Sequence, residues 1–430
     1  MKHFNLRKTS FFLAVICFAI MVGQNGWNTA HAAKLEKDVV KVGFAGGLNF
    51  IFGKQMLQGA QMAADEINNA GGVLGSKIEI ISADSGATAA GAASAIAKLV
   101  TSDKVDYLIG AYPSEEATVF VRESYNRKII SIFNMASSMY DEVYQTKPAE
   151  AKYGFVISAA EPTVVKTFTD ALPAIAKTLE KELNVKKINV ALITDNALWT
   201  ANIDNLMKDF FAKSKDVNFV YHAKPARNAT DFTTELTEIM KKDVHLVLVF
   251  SGFGSAFPLI KQFNQMKVPA LLGGYIIAAM GPDDFLKAVG PENTAYVFNQ
   301  SFGTEVASPR DAQLVKAFKA KHGAYPSPAA VEGYGMIKVF ATALEKTGTM
   351  NNDVLIPAIE KVVVPPNQAW GGAIRFENHR AVSDYDLNKG TRLYLVQYTP
   401  QGDKAPIVFP EKYATTKLQI PPHMIKKWKK

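Results

Sequence analysis

The feature that most constrains this chain is a repeated switch between two hydrophobic periods. Val39–Ala45 is apolar and β-branched and predicts a buried strand. Gly53–Asn68 then recurs at helical spacing, with Met56, Ala60, Ala63, Ala64 and Ile67 on one face, and Gly71-Gly72 stops it. Ile78–Ser82 predicts the next strand. A helix over Ala89–Val100 follows, with Ala92, Ala93, Ile96, Leu99 and Val100 inward. Val105–Ile109, Ser114–Tyr125 and Ile129–Phe133 continue as strand, helix, strand. The pattern restarts with a helix at Val164–Leu183 and strands at Ile188–Ile193, Val217–Tyr221, His245–Phe250 and Ala270–Leu272. Between those strands, Trp199–Phe211, Asp231–Met240 and Ala256–Met266 read as helices. Pro309–His322 and Ala329–Lys346 are helical, and Leu393–Tyr398 is a late strand. Strands separated by helices of 10–15 residues build βαβ units and parallel sheets. Two such runs, broken near residue 160, predict two similar α/β lobes.

The ends of the chain read differently. Lys2, Arg7 and Lys8 precede the apolar run Phe11–Val22, and Ala30-His31-Ala32 offers a small-x-small cleavage point before Ala33. Residues 1–32 therefore read as a secretory signal peptide, with an uncleaved N-terminal anchor as the alternative. Ile16 precedes Cys17 where lipid attachment needs a small residue. Cys17 is the one cysteine of the 430 residues, so the mature chain has no thiol to form a disulfide or attack a substrate. The net charge of +8 falls to +5 without the three basic leader residues. Lys426, Lys427, Lys429 and Lys430 account for all but one of those five. The basicity is a solvated tail and not a nucleic-acid face, and no nucleic-acid partner is expected.

Motifs for chemistry are missing. There is no G-x-G-x-x-G after a strand, no Walker A loop and no G-x-S-x-G elbow. Gly252-Phe253-Gly254 follows a strand but lacks a third glycine. The seven histidines, two of them in the leader, nowhere pair at metal-ligand spacing. No catalytic residue, metal or cofactor is expected. Parallel α/β lobes bind ligands outside the carboxyl ends of their strands. Those loops, at 45–53, 110–114, 133–138, 194–200, 251–255 and 273–276, carry Phe52, Tyr112, Trp199, Phe253 and Tyr275. They also carry Ser114 at a predicted helix start, and Ser137 and Ser138 after a strand. Rings give broad apolar contact, and a helix start offers free N–H groups to an anion. The competing account makes Ser114 a plain N-cap and the rings core. On the ligand account, the site captures a small molecule without covalent chemistry.

The stretch Lys41–Ser138 resembles the first lobe of the type I periplasmic solute-binding proteins of ABC transporters, in the leucine/isoleucine/valine-binding branch. The similarity rests on Lys41-Val42-Gly43, Gly59-Ala60, Glu66-Ile67-Asn68, Gly71-Gly72-Val73-Leu74-Gly75 and Ile109-Gly110. Asp231-Phe232-Thr233 and the run from Ala329-Ala330 to Tyr334 extend it over nearly the whole mature chain. It implies an α/β protein of two doubly wound parallel-sheet lobes joined by a three-strand hinge. The implied division is 33–158 with 297–380 for one lobe and 159–296 with 381–430 for the other. A ligand in the cleft, a monomeric state, a periplasmic location and an ABC permease partner are implied too.

Carried over by position, Ser114 holds a ligand carboxylate, Ser137 shares that task beside Ser138, and Met135 contributes through its backbone. Phe52, Tyr112, Trp199 and Phe253 line the pocket. Tyr275 stands where amino-acid binders of the family have an acid for the ligand ammonium. Glu115-Glu116 replaces the small hydroxyl residues often found there. The expected ligand is therefore a small carboxylate without an ammonium group, aromatic or otherwise apolar. Glu332 on the late helix is the alternative acid. An amino-acid binder, a ligand-sensing receptor module and an exported hydrolase are the other readings.

Overall fold

The structure is a computed structural model. It describes residues 34–429 except 253, 281, 302–307, 392 and 403. The signal-peptide reading of 1–32 and the site assignment of Phe253 lie outside the described residues.

The first lobe is built on five parallel strands: β1 (Val39–Gly46), β2 (Lys77–Asp84), β3 (Tyr107–Gly110), β4 (Ser131–Phe133) and β5 (Gly154–Val156). Their spatial order is 2-1-3-4-5, with Val42 paired to both Ile80 and Tyr107. The second lobe repeats this order with β6 (Ile188–Thr194), β7 (Val217–Ala223), β8 (Leu246–Ser251), β9 (Leu271–Ile276) and β10 (Phe298–Ser301). Late strands finish each sheet. β11 (Val363–Val364), β12 (Ile374–Glu377) and β13 (Arg380–Ala381) extend the first sheet beyond β5. β14 (Tyr394–Gln397) runs antiparallel beside β10, and β15 (Ile407–Phe409) antiparallel beside β14. The chain thus passes between sheets three times, after Val156, after Ser301 and after Ala381. The strand Phe298–Ser301 belongs to the second sheet, past the expected boundary at 296.

The periodic segments fold as their patterns direct. The helix Ile51–Asn69 buries Met56, Ala60, Ala63, Ala64 and Ile67. The helix Ala89–Thr101 buries Ala92, Ala95, Ile96 and Leu99, so Ala95 takes the inward place expected of Ala93. The segment Trp199–Phe211 is not one helix. Leu198–Thr200 forms a 3-10 turn, and the helix begins at Ile203. In that turn Thr200 Oγ1 donates to the Ala197 carbonyl at 3.0 Å, a local bond that competes with a continuing helix. Each large apolar side chain sealed between sheet and helices, Phe168 and Phe250 among them, contributes about 1.5–3 kcal/mol.

Two glycines fix how the late helix Pro328–Thr347 joins the first lobe. A Cβ on Gly59 would lie 1.9 Å from the Ala330 carbonyl oxygen, and one on Gly333 would lie 2.0 Å from that of Met56. The helices Ile51–Asn69 and Pro328–Thr347 therefore touch backbone to backbone. Arg310 adds a tie, donating from Nη2 to the Glu66 carboxylate at 2.6 Å and to the Tyr334 hydroxyl at 2.6 Å. Among the described residues no helix is long and apolar enough to cross a membrane.

Candidate functional site

In a sheet of order 2-1-3-4-5 the connections leave in opposite directions from the first and third strands, opening a crevice at their carboxyl ends. Each lobe has one, at the ends of β1 and β3 and at the ends of β6 and β8, and the two crevices face a shared cleft. Its walls stand close together, leaving about 40 Å3 of open cavity between them. The first lobe contributes Phe52, Tyr112, Pro113, Ser114, Asn134, Ala136, Pro328, Ala329 and Glu332. The second contributes Trp199, Gly252, Tyr275, Ile277 and Met280, and the crossing segment supplies Ser158 and Ala159.

Of the residues expected from sequence, Phe52, Tyr112, Ser114, Trp199 and Tyr275 meet in this cleft. Phe52 and Tyr112 pack at 5.3 Å between ring centroids, with Phe50 behind both. Trp199 and Tyr275 meet edge to face at 5.4 Å on the opposite wall. The corner carrying Tyr112 and Ser114 starts at Gly110. Its φ is +138°, and a Cβ there would lie 2.0 Å from the Ala45 carbonyl oxygen. Only glycine suits that turn. Pro113 holds the N-cap position of the helix Ser114–Arg127, and no side chain caps it. Ser114 is thus the first helical residue and not the cap. Its hydroxyl makes no hydrogen bond among the described residues.

Met135, Ser137 and Ser138 are not on the cleft wall. Arg380, far along the chain on β13, draws their loop toward itself. Its guanidinium donates to the Met135 carbonyl at 2.8 Å and the Ser137 carbonyl at 3.0 Å, and its Nε to Asp141 at 2.7 Å. The Met135 N–H is taken by Ser158 Oγ at 2.9 Å. The Ser138 N–H is taken by Glu161 at 2.5 Å. Asn134 and Ala136 face the cleft in their place.

The acids in question take three different positions. Glu115 reaches across the mouth to Arg227 of the second lobe, Oε1 to Nη2 2.7 Å. Glu116 turns inward beneath the corner, where it accepts the Tyr112 N–H at 3.0 Å and the Ser85 hydroxyl. Burial pushes Glu116 up to about 7 against those two bonds. Glu332 lines the cleft itself. Its partner among the described residues is Asn134, whose Nδ2 donates at 2.7 Å, and burial pushes this carboxyl up to about 7 as well. Burial first, then the nearby Glu332, push the Tyr275 hydroxyl up. The Tyr112 hydroxyl is raised by burial, then by Tyr275 and Glu332. Under the second wall, buried Asp195 accepts the Gly252 N–H at 2.8 Å and the Ser255 hydroxyl at 3.3 Å, fixing the turn below Trp199.

Ser158 and Gly252 were not among the expected ligand contacts, and Glu332 was expected only as the alternative acid. Glu332 sits in a helix whose neighbours Val331, Gly333 and Tyr334 are all core, so no pattern separates it from a helix-surface acid.

Two lobes of repeated topology with a ring-lined cleft between them define a hinged solute-binding protein. The model of the periplasmic binding protein family matches residues 40–402, and the chain belongs to that family. It is 24% identical over 384 residues to the Leu/Ile/Val-binding protein homolog 8 of Brucella melitensis, covering 86% of this chain and 89% of the other. A putative branched-chain amino acid ABC transporter protein of Silicibacter pomeroyi superposes with a TM-score of 0.75 at 19% identity, covering 90% of this chain and 100% of that one. The substrate-binding protein LivJ of Streptococcus pneumoniae, in complex with isoleucine, gives 0.69 at 23%, covering 86% and 100%. An ABC-transporter solute-binding protein of R. palustris, in complex with benzoate, gives 0.68 at 17%, covering 89% and 98%. As a periplasmic binding protein the chain captures a small solute and presents it to an ABC permease.

Proposed function

We propose that the captured solute is a small carboxylate with an aromatic or other apolar body. One observation carries this reading: rings from both lobes, Phe52 and Tyr112 against Trp199 and Tyr275, face a wall where the Ser114 hydroxyl stands at a helix start without a partner among the described residues. The rings give the apolar body broad contact, and the first-turn N–H groups with the Ser114 hydroxyl suit an anion. Tyr275 brings no charge for an ammonium group. A relative of the same fold holding benzoate supports the same choice. Capture of an amino acid is the second reading, favoured by Glu332 in the cleft and by the fold relative holding isoleucine.

The chain acts by binding alone, without catalysis. The lobes divide near the three crossings, with β10 in the second lobe, and residues 1–32 direct export before removal. A thermal-shift and calorimetry panel tests the ligand class. It pairs benzoate and phenylacetate with phenylalanine, and 4-methylpentanoate with leucine. Stabilisation by the carboxylates is expected. Stabilisation by the amino acids alone refutes the reading.

A further inference from the structure

The cleft has an unequal polar lining. Among the described residues that line it, Glu332 is the one charged side chain and none is a lysine, arginine or histidine. The other polar groups are mostly donors in search of an acceptor. The Ser114 and Tyr112 hydroxyls have no partner among the described residues. Ser158 Oγ already accepts the Met135 N–H, which leaves its own proton to give. Trp199 can only donate. This set suits a ligand rich in acceptor oxygens, as a carboxylate is. An ionised Glu332 opposes such a ligand, because two carboxylates in one desolvated site cannot both keep their charge cheaply.

We propose that Glu332 takes up a proton when an anionic solute binds, and that its neutral carboxyl then donates a hydrogen bond to the ligand. The proton comes from water. The proposal rests on the carboxylate reading above. The groups facing Glu332 come from every element around it. They are Asn134 after β4, Tyr112 after β3, Tyr275 on β9 and Ser158 in the crossing segment. On its other side lie Trp370, Ser383 and Thr391. None of these is charged at neutral pH, so among the described residues no cation holds the carboxylate ionised. Burial already lifts Glu332 to about 7, so neutralising it near neutral pH costs little. Glu116, lifted to a similar range, lies beneath the Tyr112 backbone, outside the cleft lining, and is the group to separate from it.

A ligand that needs the protonated form binds at full strength below about pH 7 and loses affinity tenfold per pH unit above it. Between pH 6 and pH 8 the expected loss is about tenfold, while benzoate stays ionised throughout. Calorimetric titration of the intact mature protein with benzoate, in buffers of different ionisation enthalpy, should show uptake of close to one proton per benzoate at pH 8. Glu332→Gln keeps a donor amide and the shape, so it should bind benzoate with no proton uptake and a flat profile from pH 6 to pH 8. Glu116→Gln should leave the profile sloped. Tight benzoate binding with no pH dependence in the unmodified protein overturns the proposal and leaves the carboxylate reading standing. A slope that survives Glu332→Gln overturns it too. Binding of phenylalanine but not benzoate, abolished by Glu332→Gln, overturns both.

Discussion

Replacing Arg227 with alanine is expected to weaken solute capture two- to five-fold without touching the cleft lining. Arg227 belongs to the segment after β7 in the second lobe, and Glu115 to the first turn of the helix Ser114–Arg127 in the first. Their 2.7 Å contact joins the two lobes, so an opened protein cannot keep it. Its whole net free energy therefore favours closure. Both side chains are about one-third exposed, at 39% and 32%, which places the pair among screened surface bridges. The Asn196 carbonyl accepts Arg227 Nε at 2.7 Å and holds the guanidinium in position, which lowers the entropy cost of pairing. About 0.5–1 kcal/mol is the resulting magnitude. That energy corresponds to a factor of about two to five in affinity, because a ligand that binds the closed state must supply what the pair no longer does. Calorimetry on Arg227→Ala, Glu115→Ala and the double variant forms a cycle whose coupling term is this energy. At about 1 M salt the screening length falls to about 3 Å, and the unmodified protein should lose part of the same factor while the double variant does not. Additive single effects with no coupling would refute the idea that this contact helps hold the lobes together.

Ser114→Ala is expected to cost about 1–3 kcal/mol of carboxylate binding, the range for a hydrogen bond to a charged group, measured by titration calorimetry. The melting temperature of the empty protein should barely move, because Ser114 does not cap its helix. Asp204 is buried, which opposes its charge, yet hydrogen bonds from His222, Thr194 and Lys224 outweigh this and hold it well below the usual carboxylate range. Its stabilisation is present above pH 4 and fades as pH falls through the lowered value. Asp204→Asn should thus cost about 1–3 kcal/mol at pH 7 and much less in strong acid, read by denaturant melts across pH. Gly59→Ala drives a methyl group into the Ala330 carbonyl and should destabilise by about 1–3 kcal/mol in thermal unfolding. A melting point equal to the unmodified protein would show that the helices can part there freely.

The β-branched runs of β1, β6 and β8 were legible because fully buried parallel strands need little else than apolar residues. β10 was not, because its sequence Phe-Asn-Gln-Ser reads as a polar turn. Asn299 is tolerated in the sheet since its amide both donates to and accepts from the Ile276 backbone, at 3.0 and 2.8 Å. Gln300 reaches Thr167 at 3.1 Å. Such pairing across 23 and 133 positions leaves no local trace. The same limit governs the site. Tyr112 and Ser114 follow a strand end and could be placed from order alone. Met135 and Ser137 were expected at the ligand edge for the same reason, and Arg380, over 240 residues away, turns their loop elsewhere. Glu332 could be named from sequence only as an alternative acid, and the docking of the late helix is what sets it in the cleft.

The backbone contact at Gly59 and Gly333 bears on the order of events in capture. It makes the late helix one body with the first lobe, so Glu332, Ser114, Asn134 and Tyr112 keep their spacing whether the hinge is open or shut. On the proposed carboxylate reading, an arriving solute completes most of its polar contacts on that half alone. The other half adds Trp199, Tyr275, Ile277 and Met280, which close over the apolar body and shed water. On that reading encounter and chemical selection belong to the first lobe, while residence time is set by how firmly the second stays down. Substitutions at Ser114 or Glu332 should change which solutes are accepted, and substitutions at Trp199 or Arg227 should change how long an accepted solute waits before the permease takes it.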